Sequence, residues 1–273
     1  MGKEEKLHGG NVNEILCVGD TVHRSAEWNA NIHSLLKYLQ LKGFEGAPRY
    51  IGIDEEGREI LSFIPGEVPG NDYPNCKPYV WSDNTLILVA KYLRGLHDVT
   101  KDYLPIANAA KWLNPYIEEN EYEVICHNDA ALYNFVFRHE LPVALIDFDT
   151  ACPGPRYWDI AYTLYTTVPL SSFEPDLNTS LTMDYIPELH AENRHRRISL
   201  FFQSYGLKVP DDLKQWVIKR IIALCDTLIT GAAKGNAAYQ RMIDEGHVSH
   251  YQNEILFLQE HFTDWYKKYS KMG

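Results

Sequence analysis

Asp129, Asn134 and Asp147 are the side chains of this 273-residue sequence best suited to phosphate chemistry. Asp129 and Asn134 stand in His-Asn-Asp-Ala-Ala-Leu-Tyr-Asn, and Asp147 follows in Ile-Asp-Phe-Asp. Carboxylate and carboxamide oxygens are hard ligands. They suit magnesium, which takes one or two carboxylates and leaves room for phosphate oxygens. Two apolar runs, residues 135–137 and 143–146, flank the turn-like segment 138–142, which is the pattern of a β-hairpin. A hairpin returns the chain to the edge it left, so Asn134 and Asp147 are expected side by side, with Asp129 close upstream.

The elements that must position this stretch can be read around it. Residues 14–18 read as a strand, Gly19-Asp20 as a turn and the residues after it as a second strand, which Arg24 ends as a candidate phosphate-facing cation. The adjacent Gly9 and Gly10 are candidates for letting backbone N–H groups approach phosphate, with an ordinary turn as the plainer reading. Residues 28–42 carry Trp28, Ile32, Leu35, Leu36 and Leu39 at helical spacing, with Gly43 as a stop and His33 as a structural residue. Strands at 50–53 and 59–64 follow. Pro65-Gly66-Glu67-Val68-Pro69-Gly70 then punctuates the chain where a connector between two lobes belongs. Helices are expected at 83–98, 108–119, 157–168, 187–205, 211–232 and 247–269, with an aperiodic loop at 169–186. The fold class is therefore α+β, with a small sheet-plus-helix lobe at 1–66 and a larger, mostly helical lobe at 67–273.

Composition bounds the setting. A net charge of −11 argues against nucleic acid or anionic membrane as partners, and it suits a cationic small molecule or simple solubility. Five scattered cysteines without a C-x-x-C pair argue against a disulfide framework or zinc site and for a reducing, cytoplasmic setting. The first residues lack the apolar run of a signal peptide, and no aliphatic run is long enough to span a bilayer.

His127-Asn128-Asp129 with Asn134, followed by Ile146-Asp147-Phe148-Asp149, resembles the catalytic and metal loops of the aminoglycoside phosphotransferase family, which shares its fold with choline kinases and, more distantly, protein kinases. Gly-Pro-Arg-Tyr-Trp-Asp at 154–159, Leu-Arg-Gly-Leu-His-Asp at 93–98 and the stretches 18–24 and 57–67 are similar to other parts of that family. The resemblance implies a bilobal kinase-like fold and a magnesium-dependent kinase that moves the γ-phosphate of ATP or GTP to a small-molecule hydroxyl. Asp129 would be the catalytic base, and Asn134 and Asp147 the metal ligands. His127 would brace the loop, and Asp159 would cap its helix and tie the loop down. Phe63 and Ile64, at the connector, would face the nucleotide together with Gly9, Gly10 and Arg24. Asp149 is left between touching metal and facing solvent.

One part of the pattern is missing. Kinases set a strand lysine against a helix glutamate to position the phosphates. Here no lysine occurs between Lys6 and Lys37, and residues 28–42 contain no acid, which leaves Arg24 and, at the helix entrance, Glu27. The alternative reading is accordingly a catalytically weak or inactive nucleotide-binding module on the same fold. A metal-dependent hydrolase is a third reading, but it needs a further His or carboxylate cluster. His190 and His195 sit among Arg194, Arg196 and Arg197, an arginine run expected to be a solvated helix face.

Overall fold

The computed structural model describes residues 4–7, 15–24, 30–104, 112, 116 and 121–266. Contacts group the chain into two compact units, one of residues 1–71 and 95–159, the other of residues 72–94 and 160–273. Gly9, Gly10, Glu27 and most of the expected helix at 108–119 lie outside the described residues.

In the first unit, β1 (Glu4–Leu7), β2 (Ile15–Val18), β3 (Thr21–Arg24), β4 (Tyr50–Ile53) and β5 (Glu59–Ser62) form an antiparallel sheet in the order β1-β2-β3-β5-β4. Helix α1 (Ala30–Leu41) follows β3 and buries Ile32, Leu35, Leu36 and Leu39, the stripe that its spacing marks. Each such side chain taken from water contributes about 1.5–3 kcal/mol. Strand β1 was not expected, and β5 ends at Ser62, so Phe63 and Ile64 belong to the connector.

Two short antiparallel pairs complete this unit. Strand β6 (Val124–Cys126) pairs with β9 (Cys152–Gly154), and β7 (Phe135–Arg138) with β8 (Leu141–Leu145). The connector adds a bridge, because Glu67 and Phe137 exchange backbone hydrogen bonds of 2.9 and 2.7 Å. Its glycines are there for close approach. A Cβ on Gly70 would stand 2.0 Å from the Tyr133 Cα, and one on Gly66, at φ +155°, 2.5 Å from the Phe137 carbonyl oxygen.

Helix α2 (Asp83–Thr100) is followed, after the strand pairs, by α3 (Arg156–Thr167), α4 (Pro187–Tyr205), α5 (Leu213–Ala233), α6 (Ala237–Asp244) and α7 (His247–His261). The mixed α+β class with an N-terminal sheet and a helical C-terminal part is as expected. Helix α6 was not anticipated, and α7 gives way to a short 3₁₀ turn, Phe262–Tyr266, where a single longer helix was expected.

Segment 169–186 is not the open loop its lack of periodicity suggests. It holds a small hairpin, β10 (Phe173–Pro175) with β11 (Thr182–Asp184), strands too short to register a period of two. The hairpin is pinned by the arginine run of α4. Arg194, fully buried, donates to Ser171 O, Phe173 O and Glu174 Oε2 at 2.9, 2.6 and 3.0 Å and lies 4.2 Å above the Tyr185 ring. Arg197, also buried, donates to Asp83 and to Thr167 O. The run is therefore mostly internal scaffolding, since buried carbonyls and carboxylates satisfy the guanidinium donors. Only Arg196 keeps a half-exposed side chain. Among the described residues, no helix is long and apolar enough to cross a membrane.

Candidate active site

The two loops that carry the candidate residues are clamped at both ends. Strands β6 and β9 place Cys126 opposite Cys152 on one side, and β7 and β8 place Phe135 opposite Leu145 on the other. Between these ladders run residues 127–134 and 146–151, which have no freedom to drift apart. Direct bonds join them: Ile146 N–H donates to Asn134 O at 2.9 Å, Thr150 Oγ1 to His127 O at 3.0 Å, and Asn128 Nδ2 to Thr150 O at 2.8 Å. Asn128 and Asp147 both hold left-handed backbones, φ +67° and +64°. A non-glycine residue there costs energy that the surrounding structure must offset, and such residues gather at functional sites.

Within the first loop, Asp129 is held on both oxygens. Its Oδ1 accepts the Tyr133 hydroxyl at 2.7 Å and its Oδ2 accepts Asn134 Nδ2 at 2.8 Å. Asn134 also donates to the Asp129 carbonyl at 2.9 Å, so its amide N–H groups are committed to Asp129. That commitment orients the amide and makes its oxygen the atom left to act as a ligand. Asp147 is about half exposed, as a carboxylate meeting a ligand must be.

His127 is fully buried. Its Nε2 lies 3.1 Å from Ile146 O, and its Nδ1 accepts the Asp129 N–H at 3.3 Å. This pairing requires the neutral ring with its proton on Nε2. Burial accordingly pushes its pKa below the ordinary histidine value, against the opposing pull of Asp159 and Asp147. Asp159, also fully buried, lies inside the first turn of α3 rather than at its cap. Its carboxylate accepts His127 N–H at 2.7 Å, Asn128 N–H at 2.8 Å and His97 Nε2 at 2.9 Å. Burial acts to raise its pKa, but the hydrogen bond and charge of His97 outweigh this and hold it below the usual carboxylate range.

Arg24, at the end of β3, reaches the second loop. Its Nε donates to Glu59 Oε1, its Nη1 to Asp147 Oδ1 at 3.2 Å and its Nη2 to Asp149 Oδ1. Asp149 is therefore paired with arginine while its side chain stays about a third exposed. Burial acts to lower the Arg24 pKa, yet the three carboxylates, Asp149 foremost, hold it above its ordinary value. Burial pushes Asp149 up to about 6 against the pull of Arg24, with Asp147 adding to the rise.

One guanidinium facing three carboxylates leaves negative charge in excess, an electrostatic setting that favours a divalent cation. The donor set of Asn134 Oδ1 and Asp147 fits magnesium shared with phosphates, which asks for only one or two protein carboxylates. Among the described residues, no group of three or more His, Cys, Asp or Glu side chains forms a metal cage. The further cluster that the hydrolase reading needs is not among them.

Phe63 and Ile64 are half-buried, and Phe63 N–H donates to Asp20 O at 2.8 Å. Three participants escaped the sequence reading: Glu59, His97 and Tyr133. Each lies in a stretch that resembles the family, but nothing local marks the partner that Glu59 or His97 meets. The second unit has a cavity of about 310 Å³ lined by Trp81, Asp83, Glu174, Leu177 and Arg196 among others. None of its lining comes from the two loops, and its charges are largely paired with one another.

Residues 66–190 match the phosphotransferase enzyme family. The chain is 31% identical over 212 residues to the trifolitoxin immunity protein of Rhizobium leguminosarum bv. trifolii, covering 76% of each. Among solved structures it is similar to an amicoumacin kinase, hAmiN, in complex with AMP-PNP, Ca2+ and Ami, with a TM-score of 0.62 and 14% identity over 92% of this chain and 87% of that one. It is also similar to the GDP complex of a mutant aminoglycoside 2′-phosphotransferase-IIIa, with a TM-score of 0.55 and 14% identity over 95% and 92% of the two chains. At these identities the structural likeness establishes the fold alone.

Proposed function

The chain belongs to the phosphotransferase enzyme family, and from that premise we propose that it is a magnesium-dependent small-molecule kinase, moving the γ-phosphate of ATP or GTP to an acceptor hydroxyl. The observation that carries this reading is the pair of loops clamped between two ladders. It sets Asp129, Asn134 and Asp147 on one framework, with the Asn134 amide already turned by Asp129. We assign the nucleotide side of the reaction to residues 1–66, with Gly9, Gly10, Arg24, Phe63 and Ile64, and the catalytic side to residues 67–273.

The roles follow from what each group can do. Asp129 takes the acceptor proton while the acceptor oxygen–phosphorus bond forms and the β,γ bridging bond breaks, releasing the nucleoside diphosphate. Tyr133 and Asn134 fix the Asp129 carboxylate. Asn134 and Asp147 would hold Mg2+, whose part is to neutralise charge on the phosphates. His127 and Asp159 keep the catalytic loop in one conformation.

The acceptor is a hydroxyl-bearing small molecule, and the named neighbours suggest an antibiotic or toxin. A second reading has support from the relative named as an immunity protein: protection by binding such a compound without turnover. Coupled detection of nucleoside diphosphate over a panel of aminoglycosides, choline and sugars, with both nucleotides, separates the two. Acceptor-dependent turnover that Asp129→Asn abolishes supports the kinase. Tight acceptor binding without turnover on any compound supports sequestration.

A further inference from the structure

Glu59 is a buried carboxylate that the proposed reaction has not used. Its side chain is 2% exposed, and it stands directly opposite Arg24 across β3 and β5. Its two oxygens serve two different elements. Oε1 takes the Arg24 Nε–H, and Oε2 lies 2.9 Å from His33 Nε2 on α1. His33 is itself fixed, stacked on Tyr50 of β4 with ring centroids 4.0 Å apart and planes 24° from parallel. A buried carboxylate persists only where partners compensate its lost hydration, and here both oxygens have one.

We propose that Glu59 and His33 are positioning residues that aim Arg24 at the nucleotide phosphates. This rests on the kinase reading above. In protein kinases a strand lysine is held by a glutamate on the neighbouring helix, so a shift of that helix makes or breaks the pair. Here α1 carries no acid in its first turn, and the carboxylate comes from the adjacent strand, in register with the cation. The pair is thus built into the sheet, and the helix contributes the histidine that buttresses it. Arg24 is the residue type such an arrangement needs. Of its five N–H donors, one each goes to Glu59, Asp147 and Asp149, and among the described residues the other two have no partner, which leaves them for phosphate oxygens. A lysine ammonium has three donors on a single atom and cannot span that set. By the same geometry Asp149 is the anchor of Arg24 rather than a second metal ligand.

Isothermal titration of the full chain with Mg·ATP, Mg·GTP and the bare nucleosides tests this, with thermal melting to confirm that each variant is folded. Glu59→Gln and Arg24→Lys are each expected to weaken the nucleotide bound by wild type about tenfold or more, with nucleoside affinity unchanged. His33→Leu is expected to weaken it less, and His33→Gln, which still donates to Oε2, to restore it. Unchanged nucleotide affinity in a folded Glu59→Gln variant overturns the assignment and leaves the kinase reading standing. Equal loss for nucleotide and nucleoside overturns it too, since that is the mark of a merely structural role. Wild type that binds neither nucleotide overturns the kinase reading and this inference with it.

Discussion

His97 and Asp159 meet at 2.9 Å with no exposed side-chain surface on either. The same carboxylate accepts the backbone N–H groups of His127 and Asn128, so one buried group joins the end of α2, the start of α3 and the loop 127–134. Three donors converge on it. Asp159→Asn removes the charge and leaves a single acceptor oxygen for them. Breaking a buried pair of this kind costs about 3–5 kcal/mol. Urea unfolding is expected to show that loss, and a variant as stable as wild type would contradict it.

Acid should destabilise the fold in two stages, with a sign set by these groups. Burial lowers the folded-state pKa of His127, so the unfolded chain takes up the proton first, near a pKa of about 6.5. Stability from His127 is therefore present at neutral pH and is lost as pH falls below that point. Asp159 has a lowered folded pKa, so its contribution persists until the pH drops through the unfolded value of about 3.9 and is lost below it. Melting temperature should fall between pH 7 and 5 in wild type, and less steeply in His127→Gln, whose amide can still donate to Ile146 O. An equally steep fall in both would assign the effect elsewhere.

The connector glycines make a sharper geometric test. A Cβ at Gly70 meets backbone atoms of Tyr133 that cannot yield as a side chain would, so Gly70→Ala should cost about 3 kcal/mol. Gly52→Ala is the control. A Cβ there meets nothing within 4 Å, and the change should stay within about 0.5 kcal/mol. Equal melting temperatures for the two variants would refute the close approach.

Tyr133→Phe removes a hydrogen bond to the Asp129 carboxylate while keeping the ring. A bond to a charged group is worth about 1.5 kcal/mol or more, which corresponds to roughly tenfold in rate. Steady-state kinetics on an active acceptor should show a fall in kcat with little change in the nucleotide KM. A rise in kcat would mean that the phenol obstructs Asp129.

What could be read in advance followed the range of the interaction. The hairpin at 135–145 and the side chains at its ends were legible because alternation and a turn are local patterns. The stripe Ile32, Leu35, Leu36, Leu39 announced α1 for the same reason. Glu59 stayed hidden because its role depends on β3 pairing with β5 rather than β4, a choice made far along the chain. His97 needed Asp159, and Arg194 needed the hairpin that it pins; neither helix shows its residue's distant partner. Strands of three residues, such as β6, β9, β10 and β11, carry too little pattern to register.

The most direct measurement is phosphorus NMR of the acceptor panel incubated with Mg·ATP or Mg·GTP, comparing wild type with Asp129→Asn at matched nucleotide affinity. A phosphorylated acceptor in wild type and none in the variant is the expected result. Equal product from both, or no phosphorylated acceptor from a wild type that binds the nucleotide, would contradict the account.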